Sequence, residues 1–108
     1  MEFKTLQTRA LELQTAYDAH TKLKYGKSWT PEQIAQGFIG DVGDLMKLIL
    51  AKSGVRDIEN ADEKLSHELA DCLWCIMVLS HAYGVDLEHE FLKTMDVLQT
   101  RIRAESRL

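Results

Sequence analysis

The amino-acid sequence predicts an all-α protein, a four-helix bundle in which neighbouring helices run antiparallel. Three observations predict this fold. Apolar residues recur three and four positions apart in four separate segments, the spacing that places them on one face of a helix. No segment alternates apolar and polar residues as a strand does, and the only proline, Pro31, stands where a helix is expected to begin. A chain of 108 residues can bury a core of its own, so residues 1–108 are predicted to form a single domain.

The first two helices differ in how clearly the sequence marks their ends. The first helix gives way to a loop in KLKYGKSW, at Gly26, after an apolar stripe of Phe3, Leu6, Ala10, Leu13 and Tyr17. The second begins with Thr30 as N-cap, Pro31 at the first helical position and Gln33 completing a capping box. Ser53 and Gly54 end this helix. Its apolar face is formed by Ile34, Phe38, Val42, Leu45 and Ile49.

The third and fourth helices are separated by a short polar link. The third is expected to start near Asn60 and to run to Gly84, which suits a left-handed C-cap. From Leu69 onward it is apolar on every side, as is typical of a helix buried among others. Asp86 is the expected N-cap of the fourth helix, whose apolar positions are Leu87, Phe91, Met95, Leu98 and Ile102. Short connections of this kind favour antiparallel neighbours.

Charge and cysteine content narrow the possible partners. A net charge of −4 argues against nucleic acid or an anionic membrane as the main partner, because both require a basic face. The longest apolar stretch is too short to span a bilayer, and the N-terminal segment lacks the apolar core of a signal peptide. Two cysteines without a disulfide framework indicate a reducing, cytoplasmic location.

Two pairs of carboxylates carry the chemistry. Asp41 and Asp44 lie three residues apart on the second helix, and Glu68 and Asp71 lie three apart on the third. Residues three apart share a helix face, so antiparallel packing would bring the four acids together across the seam. Carboxylates at close range cannot all be ionised without cations between them, and oxygen ligands favour Mg²⁺ or Mn²⁺. The alternative is a pair of solvated acidic faces, which is weakest for Asp71 because ten apolar residues surround it between Leu69 and Leu79.

The residues GDVGDL followed by ELAD resemble the MazG-like all-α nucleoside triphosphate pyrophosphohydrolases, whose pattern is E-E-x-x-E, a gap, then E-x-x-D. WTPEQIA before the first motif and GVDLEHEFLKTMDVLQTRI after the second follow the family's order, so the resemblance covers roughly residues 25–103. It implies that Asp41, Asp44, Glu68 and Asp71 are the catalytic metal ligands. It also implies hydrolysis of an NTP or dNTP to the monophosphate and pyrophosphate with Mg²⁺ (or Mn²⁺), in a homodimer or homotetramer.

The chain departs from this pattern at two places, which keeps a second function open. Gly40 stands where the family has its first glutamate, and the fourth helix lacks the family's nucleotide-binding Asn. The alternative is therefore a non-catalytic or weakly active nucleotide-binding or regulatory module on the same scaffold. A carboxylate-bridged di-iron bundle is a third interpretation, but no Glu in the chain has His three residues later.

Four residues are candidates for binding the substrate. Trp29, with Tyr25, can stack on a nucleobase with Lys27 near phosphate, or the aromatics can simply anchor their loop. Lys47, one turn from Asp44, can neutralise phosphate or remain solvated, and Lys93 lies near the place of the family's phosphate-binding lysine. For His67, contact with a phosphate and a bystander role both stay open. The pair Cys72 and Cys75 is interpreted as core, because it lies mid-helix and lacks partner ligands for zinc.

Overall fold

The fold is all-helical. The computed structural model describes residues 2–106, so residue 1 and residues 107–108 of the predicted domain lie outside the description. The described part contains four helices and no strand, which confirms the predicted class. The helices are α1 (Phe3–Tyr25), α2 (Pro31–Lys52), α3 (Ala61–Ala82) and α4 (Leu87–Ser106).

Most helix ends follow the local signals. The hydroxyl of Thr30 accepts from the backbone N–H of Gln33, and the Gln33 side chain accepts from the N–H of Thr30, so the capping box is confirmed. Asp86 caps α4 by accepting from the N–H of His89 at 3.2 Å. Asn60 precedes α3 as predicted, but it adopts a left-handed conformation (φ 56°) and its side chain makes no capping hydrogen bond.

The helices α2 and α3 form an antiparallel pair, as predicted for sequence neighbours. Near the connection between them, Lys52 forms an ion pair with Asp62, and at the far side Cys75 contacts Asp41. Residue numbers thus increase along α2 in the direction in which they decrease along α3, as in an antiparallel pair. The residues buried in this part of the molecule include Ile34, Leu48, Cys72, Cys75 and Val78.

The helix α1 packs on α3 rather than on α2, which corrects the expectation of antiparallel neighbours for the first pair. Gln7 donates from Nε2 to the carbonyl of Met77 (3.3 Å) and to the hydroxyl of Ser80 (3.1 Å). Trp74 donates from Nε1 to the carbonyl of Ala10 (3.0 Å). The physical reason is that α3 is apolar on several sides and offers one face to each of the other two helices.

The expectation that α3 is buried on every side is wrong for this chain by itself. Leu69, Leu73 and Ile76, at helical spacings of four and three, remain 52, 47 and 39 % exposed. The reason is that α4, which could have covered them, makes only marginal contacts with the other helices and has no buried residue among those described.

The single chain is consequently extended. Its radius of gyration is 17.5 Å, against about 13 Å for a compact domain of this length. Within residues 2–106, none of the helices has the combination of length and apolar character that crossing a membrane requires.

Candidate metal centre

Three of the four predicted carboxylates meet across the seam between α2 and α3. Oxygen atoms of Asp41, Asp44 and Glu68 all lie within 4.8 Å of one another. The antiparallel register places the one-turn pair of α2 opposite the middle of α3. Asp41 and Glu68 are half-buried, whereas Asp44 is exposed at the rim. These three residues are called the acid cluster below.

Asp71 is not part of the acid cluster in this structure. Its Oδ2 lies 3.2 Å from Nε2 of His67, one turn earlier on α3, and the side chain is 43 % exposed. His67 lies outside the acid cluster, with a side chain that is 75 % exposed, and it contacts the fourth predicted ligand. The i, i+4 spacing in HELAD was the signal for this contact.

The surroundings of Glu68 disfavour the ionised form of its carboxyl group. Its Oε1 is buried and has no hydrogen-bond partner among the described residues. Burial, followed by the negative charges of Asp41, Asp71 and Asp44, raises the pKa of the Glu68 carboxyl above its ordinary value. A buried carboxylate oxygen without a partner costs free energy, and proximity to like charges adds to that cost.

The donor set fits a hard divalent cation. A cation between the three carboxylates would offset their mutual repulsion and would give the unpaired Oε1 of Glu68 a partner. Carboxylate oxygens without nitrogen or sulfur ligands favour Mg²⁺ or Mn²⁺ over zinc or copper. The residues present are thus compatible with the predicted metal, with Asp41, Asp44 and Glu68 as the group that could hold it.

The thiol of Cys75 contacts one member of the acid cluster. The thiol of Cys75 donates to Oδ2 of Asp41 over 3.6 Å between the heavy atoms. Burial, then the charge of Asp41, raises the pKa of Cys75 to about 11, and burial also raises the pKa of Cys72. Both cysteines are free and buried, in agreement with their interpretation as core residues. The contact with Asp41 was not predicted, because it depends on the register between two helices.

A cavity of about 510 Å³ opens beside the acid cluster, toward the connection between α2 and α3. Two members of the acid cluster and two lysines contribute to it. Lys64 was missed by sequence reasoning, although its position one turn before Glu68 places it on the same helix face. The lining residues are Asp44, Lys47, Leu48, Ile58, Glu63, Lys64, His67 and Glu68.

The other substrate-binding candidates lie elsewhere. Trp29 packs at the opposite side of the acid cluster along α2, since a Cβ added to Gly37 would lie 3.5 Å from its Cζ3. Its side chain nevertheless remains 56 % exposed. Lys27 is exposed in the loop before α2, and Lys93 lies on α4; neither contributes to the cavity. Of the four candidates, the structure brings only Lys47 to the cavity beside the acid cluster.

Fold and site together define an all-helical protein with a candidate carboxylate centre for a divalent cation. No protein-family model, no curated protein and no solved structure matches the chain. A more specific assignment depends on the chemistry of the site.

Proposed function

We propose that this protein is a Mg²⁺-dependent nucleoside triphosphate pyrophosphohydrolase, a cytoplasmic enzyme that hydrolyses an NTP or dNTP to the monophosphate and pyrophosphate. The observation that carries the proposal is the convergence of Asp41, Asp44 and Glu68, of which Glu68 has a buried oxygen without a hydrogen-bond partner among the described residues. Mg²⁺ held by a few carboxylates commonly acts together with substrate phosphates, which makes a polyphosphate the matching substrate class.

The chain's own residues have separate tasks in this reaction. Asp41, Asp44 and Glu68 would hold the cation, and Asp71 would join them only by giving up its contact with His67. The Cys75 thiol fixes the orientation of Asp41. A bound Mg²⁺ supplies positive charge that polarises the phosphoryl oxygens and favours deprotonation of water. Lys47, at the rim, contributes a further positive charge toward the triphosphate.

The proposed enzyme is a homodimer or a homotetramer, and its subunits associate through the exposed apolar surface of α2 and α3. Besides the α3 stripe of Leu69, Leu73 and Ile76, the helix α2 exposes a stripe at spacings of three and four residues, formed by Ile39, Val42, Met46 and Ile49. Soluble single chains rarely leave contiguous apolar surface of this extent open to water. A second copy of the chain would bury these stripes and explain why α4 stands away from its own core.

A nucleotide-binding module without turnover is the second candidate, and Gly40 favours it. The residue before Asp41 carries no carboxylate, so the acid cluster has fewer acids than the resemblance leads one to expect. A Cβ at Gly40 would meet nothing within 4 Å, so Glu fits there without a clash. Gly40→Glu is therefore the variant that tests this candidate: turnover that arises only in the variant favours the binding module.

A release assay tests the main proposal. Wild-type protein is incubated with common and modified NTPs and dNTPs, first with Mg²⁺ and then with Mn²⁺, and pyrophosphate is scored separately from phosphate. Glu68→Gln and Asp71→Asn are expected to lose pyrophosphate release, whereas Glu12→Gln on α1, the same chemical change at an exposed position, keeps it. Full release by Glu68→Gln contradicts the proposal, and wild-type binding without release supports the module.

A further inference from the structure

Two lysines flank the acid cluster on the same side. Lys47 lies one turn after Asp44 on α2, and Lys64 lies one turn before Glu68 on α3. Because α2 and α3 are antiparallel, the direction "after" on one helix and "before" on the other is the same direction in space. Both lysines accordingly line the cavity of about 510 Å³ at the end of the seam nearest the α2–α3 connection.

The lysines are available to a ligand. Lys64 is exposed and belongs to no ion pair among the described residues, and Lys47 only approaches Asp44, at 4.0 Å with more than half of its side chain exposed. The neighbouring Lys52, by contrast, is engaged by Asp62. Lys47 and Lys64 thus present two exposed ammonium groups to one cavity, where they can attract an anion.

The N-terminus of α3 adds to this preference. It lies at the same end of the seam, and Asn60 provides no side-chain hydrogen bond to its first-turn N–H groups. Uncapped N–H groups and the helix dipole both attract negative charge. Three carboxylates, those of Asp44, Glu63 and Glu68, also line the cavity and oppose the attraction. Asp44 and Glu68 belong to the acid cluster, whose charge a bound cation would offset, whereas Glu63 lies in the first turn of α3 and can be replaced without changing the acid cluster.

The opposite side of the acid cluster has the complementary chemistry. Along α2 the order is Gly37 with the Trp29 ring on it, then Asp41 and Asp44, then Lys47. At 1.5 Å per residue, Gly37 and Lys47 are about 15 Å apart along the helix axis. An aromatic ring at one side, carboxylates in the middle and ammonium groups at the other match a ligand with a planar base at one end and phosphates at the other.

We infer that the cavity between Lys47 and Lys64 binds the β- and γ-phosphates of the triphosphate and so holds the pyrophosphate leaving group. This inference rests on the proposed function. In the reaction, the oxygen of water forms a bond to the α-phosphorus and the bond from the α-phosphorus to the bridging oxygen breaks. That oxygen leaves with pyrophosphate, and a proton is released to solvent. Lys47 and Lys64 balance the charge that the leaving group gains.

The test compares binding of pyrophosphate with binding of a nucleoside monophosphate, both with Mg²⁺, by titration calorimetry. Lys64→Met and Lys47→Met are each expected to weaken pyrophosphate binding about tenfold, the effect of one charged hydrogen bond, while monophosphate binding changes less than about twofold. Lys64→Arg keeps the charge and is expected to retain binding. Lys22→Met, an exposed lysine of α1, serves as the matched control.

A variant that removes a negative charge is expected to have the opposite effect on pyrophosphate binding. Glu63→Gln removes a negative charge from the same cavity and is expected to tighten pyrophosphate binding several-fold. The inference is overturned if pyrophosphate binding is unchanged in both lysine variants, if the monophosphate is lost equally, or if the wild type binds no pyrophosphate. Lysine-dependent binding of pyrophosphate in a protein that releases none from any nucleotide supports this site and refutes only the proposed hydrolysis.

Discussion

Replacing Glu68 by Gln is expected to stabilise the metal-free protein while removing its response to Mg²⁺. The substitution preserves shape but removes one of three carboxylates whose oxygens lie within 4.8 Å of one another. At that separation one like-charge pair costs about 0.9 kcal/mol in water and about 3.5 kcal/mol at an effective dielectric constant of 20. Asp44 is exposed, which places its interaction with Glu68 near the lower value, and Asp41 is half-buried.

The expected gain is smaller than the sum of these terms, because the Gln amide takes the place of a buried carboxylate oxygen that has no hydrogen-bond partner among the described residues, and it must be accommodated there without one. We expect the free energy of unfolding in EDTA to rise by about 1–2 kcal/mol, which corresponds to a Tm higher by about 4–9 °C for a domain of this size. In the wild type, Mg²⁺ at about ten times its Kd should add about 1.4 kcal/mol, and in Glu68→Gln nothing.

The pH dependence provides a second measurement of the same residue. Since the pKa of Glu68 is raised in the folded state above its ordinary value of 4.5, the folded protein binds more protons than the unfolded chain between the two pKa values. The free energy of unfolding of the metal-free protein therefore falls as pH rises through that interval, and Glu68→Gln should lack this component. Mg²⁺ reverses the trend in the wild type, because it binds the deprotonated carboxylate.

Thermal unfolding at fixed protein concentration, recorded in EDTA and in Mg²⁺ at several pH values, measures the effect of the substitution, the response to Mg²⁺ and the pH dependence. Glu12→Gln on α1 is the matched control and should leave both the Tm and the Mg²⁺ response unchanged. A lower Tm of Glu68→Gln in EDTA, or a Mg²⁺ shift equal to that of the wild type, would contradict this prediction, since Glu68 would then be a satisfied structural residue.

Three further predictions concern the helix start, the surface and the core. Thr30→Ala removes the capping box of α2 and should lower the free energy of unfolding by about 1 kcal/mol in chemical denaturation, whereas Thr30→Ser should not. Leu73→Glu should reduce the mass measured by light scattering to that of one chain, and the same change at Leu23, which is 90 % exposed on α1, should leave it unaltered; equal masses for both variants and the wild type would contradict the proposed interface. Cys72 and Cys75 should resist alkylation at pH 8 in the native protein and react promptly in guanidinium, because burial raises the pKa of both thiols and hides them; rapid labelling of the native protein would mean that the seam opens readily.

The features that were predictable before the structure are those that depend on neighbours within one or two helical turns. Helix periodicity and the Thr30 capping box are local, and so is the three-residue spacing that puts Asp41 and Asp44 on one face. The same local rule could have indicated Lys64 beside Glu68 and His67 beside Asp71.

Which of these faces meet depends on how the helices pack. Helical periodicity defines a face but not the axial register of one helix against another, and the register puts Glu68 rather than Asp71 opposite Asp41 and Asp44. Nor does an apolar face specify its partner: α3 takes α1 on one side and α2 on another, and the stripe through Leu73 stays open to water. Local spacing is set by covalent geometry, whereas register and choice of partner are set by how side chains from distant parts of the chain fit together.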